Sequence, residues 1–273
     1  MHRRLRDGVH GGRNLVTGAD PTHDGGPILE MVGISKRFGA VQALTDVDFS
    51  VDQGEVLALV GDNGAGKSTL IKTISGAGPA DDGIISFAGE KVVITRPQDS
   101  QALGIATVYQ DLALCDNLDV VANLFLGREE RRGAAIDEVD MERRSSELLR
   151  SLAAKIPSVR IPVASLSGGQ RQTVAIARSL IGEPKLVILD EPTAALGVAQ
   201  TAQVLDLIRR LRERGLAVIV ITHNLAEVDA VADRIVVLRL GRNAGEFRVG
   251  EATQEDVVAA ITGAKDYTGG VAR

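Results

Sequence analysis

Five short stretches of this chain, in three groups, carry residues whose types and spacing suit phosphate chemistry. The first is GDNGAGKST at 61–69, which follows an apolar run and opens a helical pattern closing near Gly76. Glycines let backbone N–H groups approach and wrap an anion, so Gly61, Gly64 and Gly66, with Asn63 and Ala65 among them, can cradle phosphates. Lys67 at the helix start reaches the β and γ phosphates, Ser68 offers a hydroxyl to Mg²⁺, and Thr69 follows in the same turn. In a strand–loop–helix setting this is a P-loop, and it predicts an ATP or GTP site.

The second group sits at strand ends. LVILDEP at 186–192 is an apolar run ending in two carboxylates. At the carboxyl edge of a parallel sheet, Asp190 can join an Mg²⁺ shell and Glu191 can orient or deprotonate an attacking water. An Asp-Glu pair there also serves as a strand end and helix cap, and it is the P-loop that favours the catalytic reading. VIVITHN at 218–224 puts His223 just past another apolar run, where it can meet the γ-phosphate or simply be solvated. TVYQD at 107–111 ends a run with Gln110, whose amide can touch Mg²⁺ or water.

The third group is LSGGQRQ at 166–172, a loop entering a helix. A helix start holds unpaired N–H groups and the positive end of the dipole, so this is a second anion site. One bound nucleotide needs one cradle. A second must therefore serve a second ligand or a second subunit, and an isologous pair would let each patch meet its complement.

The elements that must position these residues are legible as patterns. From Ile28 onward, apolar runs of strand length alternate with helical patterns, the order of βα units on a parallel sheet. The runs at 55–60, 185–190, 216–222 and 234–238 are nearly continuous, as in strands buried on both faces. The stretches 28–52 and 84–94, the latter with a turn at 88–90, predict antiparallel strands added at one side to make a mixed sheet. Between 111 and 164 strand-like runs vanish, and Met141, Leu148 and Leu152 share a helical face. The expected fold is α/β: a P-loop NTPase (RecA-like) core with a mixed sheet at 28–110 and 183–250, an antiparallel β subdomain, and a helical insertion subdomain at 111–182. Residues 1–27, rich in Arg, Gly and His, predict a disordered tail, and 251–273 a short C-terminal tail.

Composition limits the function. The chain has 273 residues, 44% hydrophobic and 25% charged, which suits a globular domain. A net charge of −5 argues against a nucleic-acid partner. A single cysteine, Cys115, excludes an internal disulfide and a cysteine-rich metal site. Apolar runs fall short of the roughly 18 residues of a spanning helix.

Taken together and in this order, the P-loop, VYQ, LSGGQ, LVILDEP and ITH resemble the nucleotide-binding subunit of an ABC transporter, over roughly residues 28 to 240. The resemblance implies that two chains clamp two ATP molecules. Ser167, Gly169 and Gln170 of one chain would complete the site on the other, and Phe38 would be the aromatic on which adenine stacks. By its local sequence alone, Phe38 would be a core aromatic. The wording around these motifs is most similar to ATP-binding subunits of bacterial importers for simple sugars. That implies a homodimer on the cytoplasmic face of the inner membrane, transmembrane permease subunits, and indirectly a sugar-binding protein. ATPases of other ABC transporters and soluble ABC ATPases share the same motifs. One departure is Gly197 in DEPTAALG, where the family commonly has Asp.

Overall fold

The computed structural model describes residues 26–133, 135–265 and 267; the rest of the expected tail, with His2, His10 and His23, lies outside the described residues. The described residues begin with a hairpin, β1 (Leu29–Phe38) and β2 (Val41–Val51), followed by β3 (Val56–Val60) and α1 (Lys67–Ser75). A second hairpin, β4 (Asp82–Phe87) and β5 (Glu90–Val92), leads through α2 (Pro97–Leu103) to β6 (Ile105–Val108). Then come α3 (Val120–Phe125), a two-residue pair β7 (Arg131–Arg132) and β8 (Ala135–Ile136), α4 (Glu138–Ser151) and α5 (Gly168–Leu180). The chain continues with β9 (Leu186–Asp190), α6 (Val198–Glu213), β10 (Ala217–Ile221), α7 (Leu225–Val231), β11 (Arg234–Arg239), β12 (Arg242–Arg248) and α8 (Gln254–Thr262).

The central sheet has the order β12-β11-β3-β10-β9-β6, parallel except for the antiparallel edge strand β12. Its middle strands are apolar throughout because both faces are covered, and the period of two sorts them. Val56, Ala58, Val60, Val187, Leu189, Val218 and Val220 point into one cluster with α3, α5 and α6 side chains such as Phe125, Ile176 and Ile208. Leu57, Leu59, Ile188, Ile219 and Ile221 point the other way, onto Leu70 and Ile74 of α1 and onto Leu29, Met31 and Phe87. Each of the buried Val, Leu, Ile, Met and Phe side chains among these stabilises the fold by about 1.5–3 kcal/mol.

Those last residues belong to a separate four-stranded antiparallel sheet, β2-β1-β4-β5. The expected antiparallel β subdomain is present, and it stands as its own sheet and does not extend the central one. Its strands alternate buried and exposed residues, and an amphipathic sheet buries its apolar face by packing face-on. The mixed character of the central sheet comes instead from β12, whose RNAGEFR is too polar to read as a strand. Likewise α8 occupies part of the expected C-terminal tail. Thr253 caps it reciprocally with Asp256, while Val257 and Ala260 are buried against the core.

In the stretch expected to be helical, the β7–β8 pair is an addition. The buried stripe of α4 runs Met141, Ser145, Leu149 and on to Leu152 just past its end, with Leu148 only half-buried. Ser145 tolerates burial because its hydroxyl donates to the Met141 carbonyl at 2.7 Å.

One largely shielded ion pair, Arg234 with Glu55, ties the two sheets together. Arg234 donates through Nε and Nη2 to both carboxylate oxygens of Glu55 at 2.7 and 3.0 Å, through Nη1 to Glu246 at 2.6 Å, and to the Ser50 carbonyl of β2 at 2.8 Å. Burial opposes the Arg234 charge, and the carboxylates of Glu55 and Glu246 outweigh it, so its pKa lies above the ordinary arginine value.

Candidate nucleotide site

The loop 61–69 leaves β3 at Val60 and turns into α1 at Lys67. Two of its glycines are required by close approach. A Cβ on Gly61 would lie 2.3 Å from the Leu238 carbonyl oxygen, and one on Gly66, whose φ is +105°, would lie 3.0 Å from the Ala43 carbonyl oxygen. No side chain caps α1 at Gly66, so its first-turn N–H groups face an anion site. The β11–β12 turn locks the loop from above: Gly241 donates to the Ala65 carbonyl at 3.0 Å and accepts from the Thr45 N–H at 2.8 Å. Lys67 Nζ lies in the cradle, donating to the carbonyls of Gly61 and Asp62 at 2.7 and 3.1 Å.

Residues 63–69 line a cleft of about 420 Å³ whose other wall is Val41, Gln42, Ala43, Leu240 and Gly241. Phe38 is cross-strand partner to Val41 and is 51% exposed, with the Lys36 ammonium 5.5 Å from its ring centre. That exposure excludes the core-aromatic reading and leaves a free ring face beside the cleft wall.

Parallel register gathers the other residues at one edge of the sheet. Asp190 pairs with Ile221, which in turn pairs with Leu59 next to the loop, and Val108 pairs with Leu189. Gln110, Asp190, Glu191 and His223 therefore all emerge where the P-loop begins. Glu191 sits in a left-handed conformation, φ +49°, and its N–H donates to the Ile221 carbonyl at 2.9 Å. That conformation is uncommon for a residue with a side chain and costs of order 1–3 kcal/mol. It brings Glu191 Oε1 to 3.0 Å from His223 Nδ1, a pair 32 residues apart in sequence. His223 is otherwise exposed, as is Gln110.

Asp190 is half-buried, and burial together with the neighbouring Glu191 charge raises its pKa, against a lowering by Lys67. Among the described residues no cluster of three or more His, Cys, Asp or Glu could enclose a metal alone. A desolvated carboxylate, a hydroxyl at Ser68 and an amide oxygen at Gln110 are all hard oxygen donors, so these residues fit an Mg²⁺ ion that shares its shell with phosphate. A carboxylate whose folded pKa is raised above its unfolded value weakens the nucleotide-free fold as pH rises through that range. Asp190→Asn is thus expected to raise the Tm of the nucleotide-free chain at pH 7 by about 2–4 °C per kcal/mol recovered, and to stop ATP turnover. Calorimetry checks the first part; a lower Tm at pH 7 would contradict it.

LSGGQ does not line this cleft. Ser167 caps α5, with its Oγ accepting from the Gln170 N–H at 3.3 Å and its own N–H donating to Gln170 Oε1 at 2.9 Å. The Gln170 amide also donates to the Lys155 carbonyl at 2.8 Å, so its side chain is committed to this turn. The two glycines have a packing reason that the motif alone does not reveal. A Cβ on Gly168 would meet Leu196 at 3.1 Å, and one on Gly169 would meet Gln200 at 3.0 Å, so the start of α6 presses on the start of α5. Gly197, between those two contacts, has an ordinary φ of −75° and open space around it, so nothing in the fold demands glycine there.

Four further polar residues at this sheet edge escaped the sequence reading: Thr193, Thr222, Asn224 and Glu227. The available signal was Asn224-x-x-Glu227, the spacing of a capping box ahead of an apolar helix.

A family model described as ABC transporter matches residues 44–194. The xylose/arabinose import ATP-binding protein of Sulfolobus acidocaldarius is 45% identical over 235 residues, covering 86% of this chain and 94% of that protein. The fructose import ATP-binding protein of Rhizobium meliloti is 45% identical over 248 residues, covering 88% and 95%. A ribose import ATP-binding protein of Rubrobacter xylanophilus is 43% identical over 87% of this chain, which spans 47% of that protein. Among solved structures, an ATP-binding cassette of an ABC transporter superposes with a TM-score of 0.77 at 28% identity, over 86% of this chain and 98% of that one. A dimeric post-hydrolysis ATP-binding cassette bound to ADP and Pi gives 0.67 at 27% identity, over 82% and 100%. With a P-loop, a strand-end carboxylate pair and a histidine at one sheet edge, and with these relatives, the chain belongs to the ABC transporter family as an ATP-binding, ATP-hydrolysing member.

Proposed function

We propose that this chain powers a monosaccharide importer, as a homodimer beneath transmembrane permease subunits on the cytoplasmic face of a bacterial inner membrane. The observation that carries the reading is a pair of glycine-rich helix starts on separate elements of one chain, α1 without a side-chain cap and α5 capped by Ser167, each suited to an anion. Relatives named for xylose/arabinose and fructose import support the choice of substrate class. No helix among the described residues is long and apolar enough to cross a membrane; in this reading the transport path belongs to the permease subunits.

In this reading ATP lies in the cleft with its phosphates on residues 61–69 and its adenine against Phe38. Lys67 balances charge on the β and γ phosphates. Ser68, Gln110 and Asp190 would hold Mg²⁺, which supplies charge neutralisation of the phosphates when bound. A water held by Glu191 attacks the γ-phosphorus, the bond to the β–γ bridging oxygen breaks, and the water proton passes to Glu191, giving ADP and phosphate. His223 orients Glu191 and faces the γ-phosphate. Ser167, Gly169 and Gln170 at the start of α5 on each protomer cover the γ-phosphate held by the other, so the nucleotide joins the dimer and its hydrolysis releases it. The stretch 111–182, beginning beside Gln110, carries closure to the permease. A sugar-binding protein on the far side delivers the substrate, so this chain does not contact it.

The test is co-expression of the tagged chain with candidate permease subunits, then reconstitution in proteoliposomes with a panel of labelled monosaccharides and amino acids. Monosaccharide-dependent ATPase activity and uptake are expected. Stimulation by an amino acid instead would overturn the substrate class, and failure to bind any membrane subunit would overturn the transport role.

A further inference from the structure

We propose that Glu227 is a positioning residue: its carboxylate locks the loop after β9 to the loop after β10 and thereby holds Glu191 and His223 as a pair. Three donors from both loops converge on it. Thr193 Oγ1 donates to Glu227 Oε2 at 2.5 Å, Thr222 Oγ1 donates to the same oxygen at 3.3 Å, and Asn224 Nδ2 donates to Oε1 at 3.1 Å. Thr193 is two residues past Glu191, and Thr222 and Asn224 flank His223 on either side. The two threonines are buried, 8% and 1% exposed, so their hydroxyls have little recourse to water.

Local sequence assigns Glu227 a different task. Asn224 is the N-cap of α7 and Glu227 stands at the position whose carboxylate would normally fold back onto the N-cap N–H. Here that N–H is taken by Thr222 Oγ1 at 3.1 Å, which frees Glu227 to reach across to Thr193, 34 residues away in sequence. A helix cap has been exchanged for a brace between two catalytic loops. The brace has a strained segment to restrain: Glu191 at φ +49° and Ala195 at φ +61° bracket Thr193, and such conformations persist only when the surroundings over-determine them.

The site requires a carboxylate. Three donors need acceptors on both oxygens, and a glutamine offers one oxygen and one amide. Glu227→Gln can satisfy the threonines through its carbonyl, but its amide then faces the Asn224 amide, donor to donor. Asn224 cannot turn over to compensate, because its Oδ1 accepts from the Ala226 N–H at 3.1 Å.

The proposal rests on Glu191 and His223 carrying hydrolysis. Glu191→Gln measured in parallel separates the two, since turnover at the wild-type rate in that variant would remove the base itself and not the brace. The experiment uses the full chain with Mg-ATP and compares Glu227→Gln, Thr193→Val and Thr193→Ser. The readouts are kcat, KM for ATP, equilibrium binding of a fluorescent ATP analogue, and Tm. A mispositioned base is expected to lower kcat by about tenfold or more in Glu227→Gln and Thr193→Val. KM and nucleotide affinity should stay within about threefold, because the P-loop is untouched. Thr193→Ser, which keeps the hydroxyl and loses a methyl, is expected to retain most of the wild-type kcat. Thr193→Val, which keeps the shape and loses the hydroxyl, is not. The proposal is overturned if Glu227→Gln turns over normally, if Ser and Val at 193 behave alike, or if kcat falls only in step with nucleotide binding or with loss of the folded state.

Discussion

Glu191→Gln loses ATP turnover by about 10²–10⁴-fold, the usual share of a positioned general base, yet still binds Mg-ATP and doubles in mass only when ATP is present. This outcome is expected because the amide keeps the size of the carboxylate and its place 3.0 Å from His223 Nδ1 but cannot take the proton of the attacking water. Binding is preserved because the P-loop, Lys67 and Ser68 come from a different strand, and because Glu191 does not line the cleft formed by residues 63–69. Doubling in mass follows from the proposed clamp, in which the start of α5 on one protomer covers the γ-phosphate held by the other: with the γ-phosphate kept intact, that contact is expected to last for as long as ATP stays bound. Single-turnover ATPase measurements beside light scattering, with and without Mg-ATP, decide the matter. Hydrolysis at the wild-type rate would remove Glu191 from its role, and a mutant that stays monomeric with ATP would remove the clamp.

The second large effect falls on stability. Arg234→Met is expected to destabilise the chain by about 3–5 kcal/mol, because it leaves the largely shielded Glu55 carboxylate without its cation, with the Asp52 N–H at 2.7 Å as its remaining donor. The side chains of both residues are mostly shielded, at 14% and 10% exposure, and Glu55 immediately precedes β3, the strand that feeds the P-loop. The exposed end of the cluster, Glu246 at 54%, contributes far less. Replacing both partners, Arg234→Met with Glu55→Met, should recover much of the loss, since the dominant penalty is the orphaned charge and not the missing attraction. Urea unfolding of the two variants measures both numbers; a single-mutant loss below about 1 kcal/mol would show that Glu55 is well solvated without arginine.

Gly197 gains meaning from the packing around it. The residues on either side, Leu196 and Gln200, are the ones that would meet a Cβ on Gly168 and Gly169, so the segment where the family resemblance leads one to expect Asp is already pressed against the signature turn within the same chain. Its backbone accommodates a side chain without strain. The consequence of glycine there therefore lies in what an aspartate would reach, and the local fold is indifferent to it.

Much of the site was legible because phosphate chemistry acts through contiguous residues. A P-loop needs glycines, a lysine and a hydroxyl within nine positions, and the flanking strand and helix follow from local periodicity. The continuous apolar runs likewise announced strands buried on both faces, and LSGGQ announced a helix start. What the sequence could not show depends on which faces meet. The antiparallel strands stand as a second sheet packed face-on, β12 is a strand because β11 offers it an edge, and the signature glycines are small because α6 lies against them. The Glu191–His223 pair exists through the register that sets Asp190 beside Ile221 and through one left-handed residue. Glu227 is the sharpest case. Its sequence spacing specifies a helix cap, and only the tertiary arrangement, by supplying Thr222 for the cap and Thr193 across the gap, decides that the carboxylate goes elsewhere. Local sequence determines which groups are available to bond within a turn or two of themselves; the competition among distant partners for one carboxylate is settled by packing, because only packing brings those partners within hydrogen-bond reach.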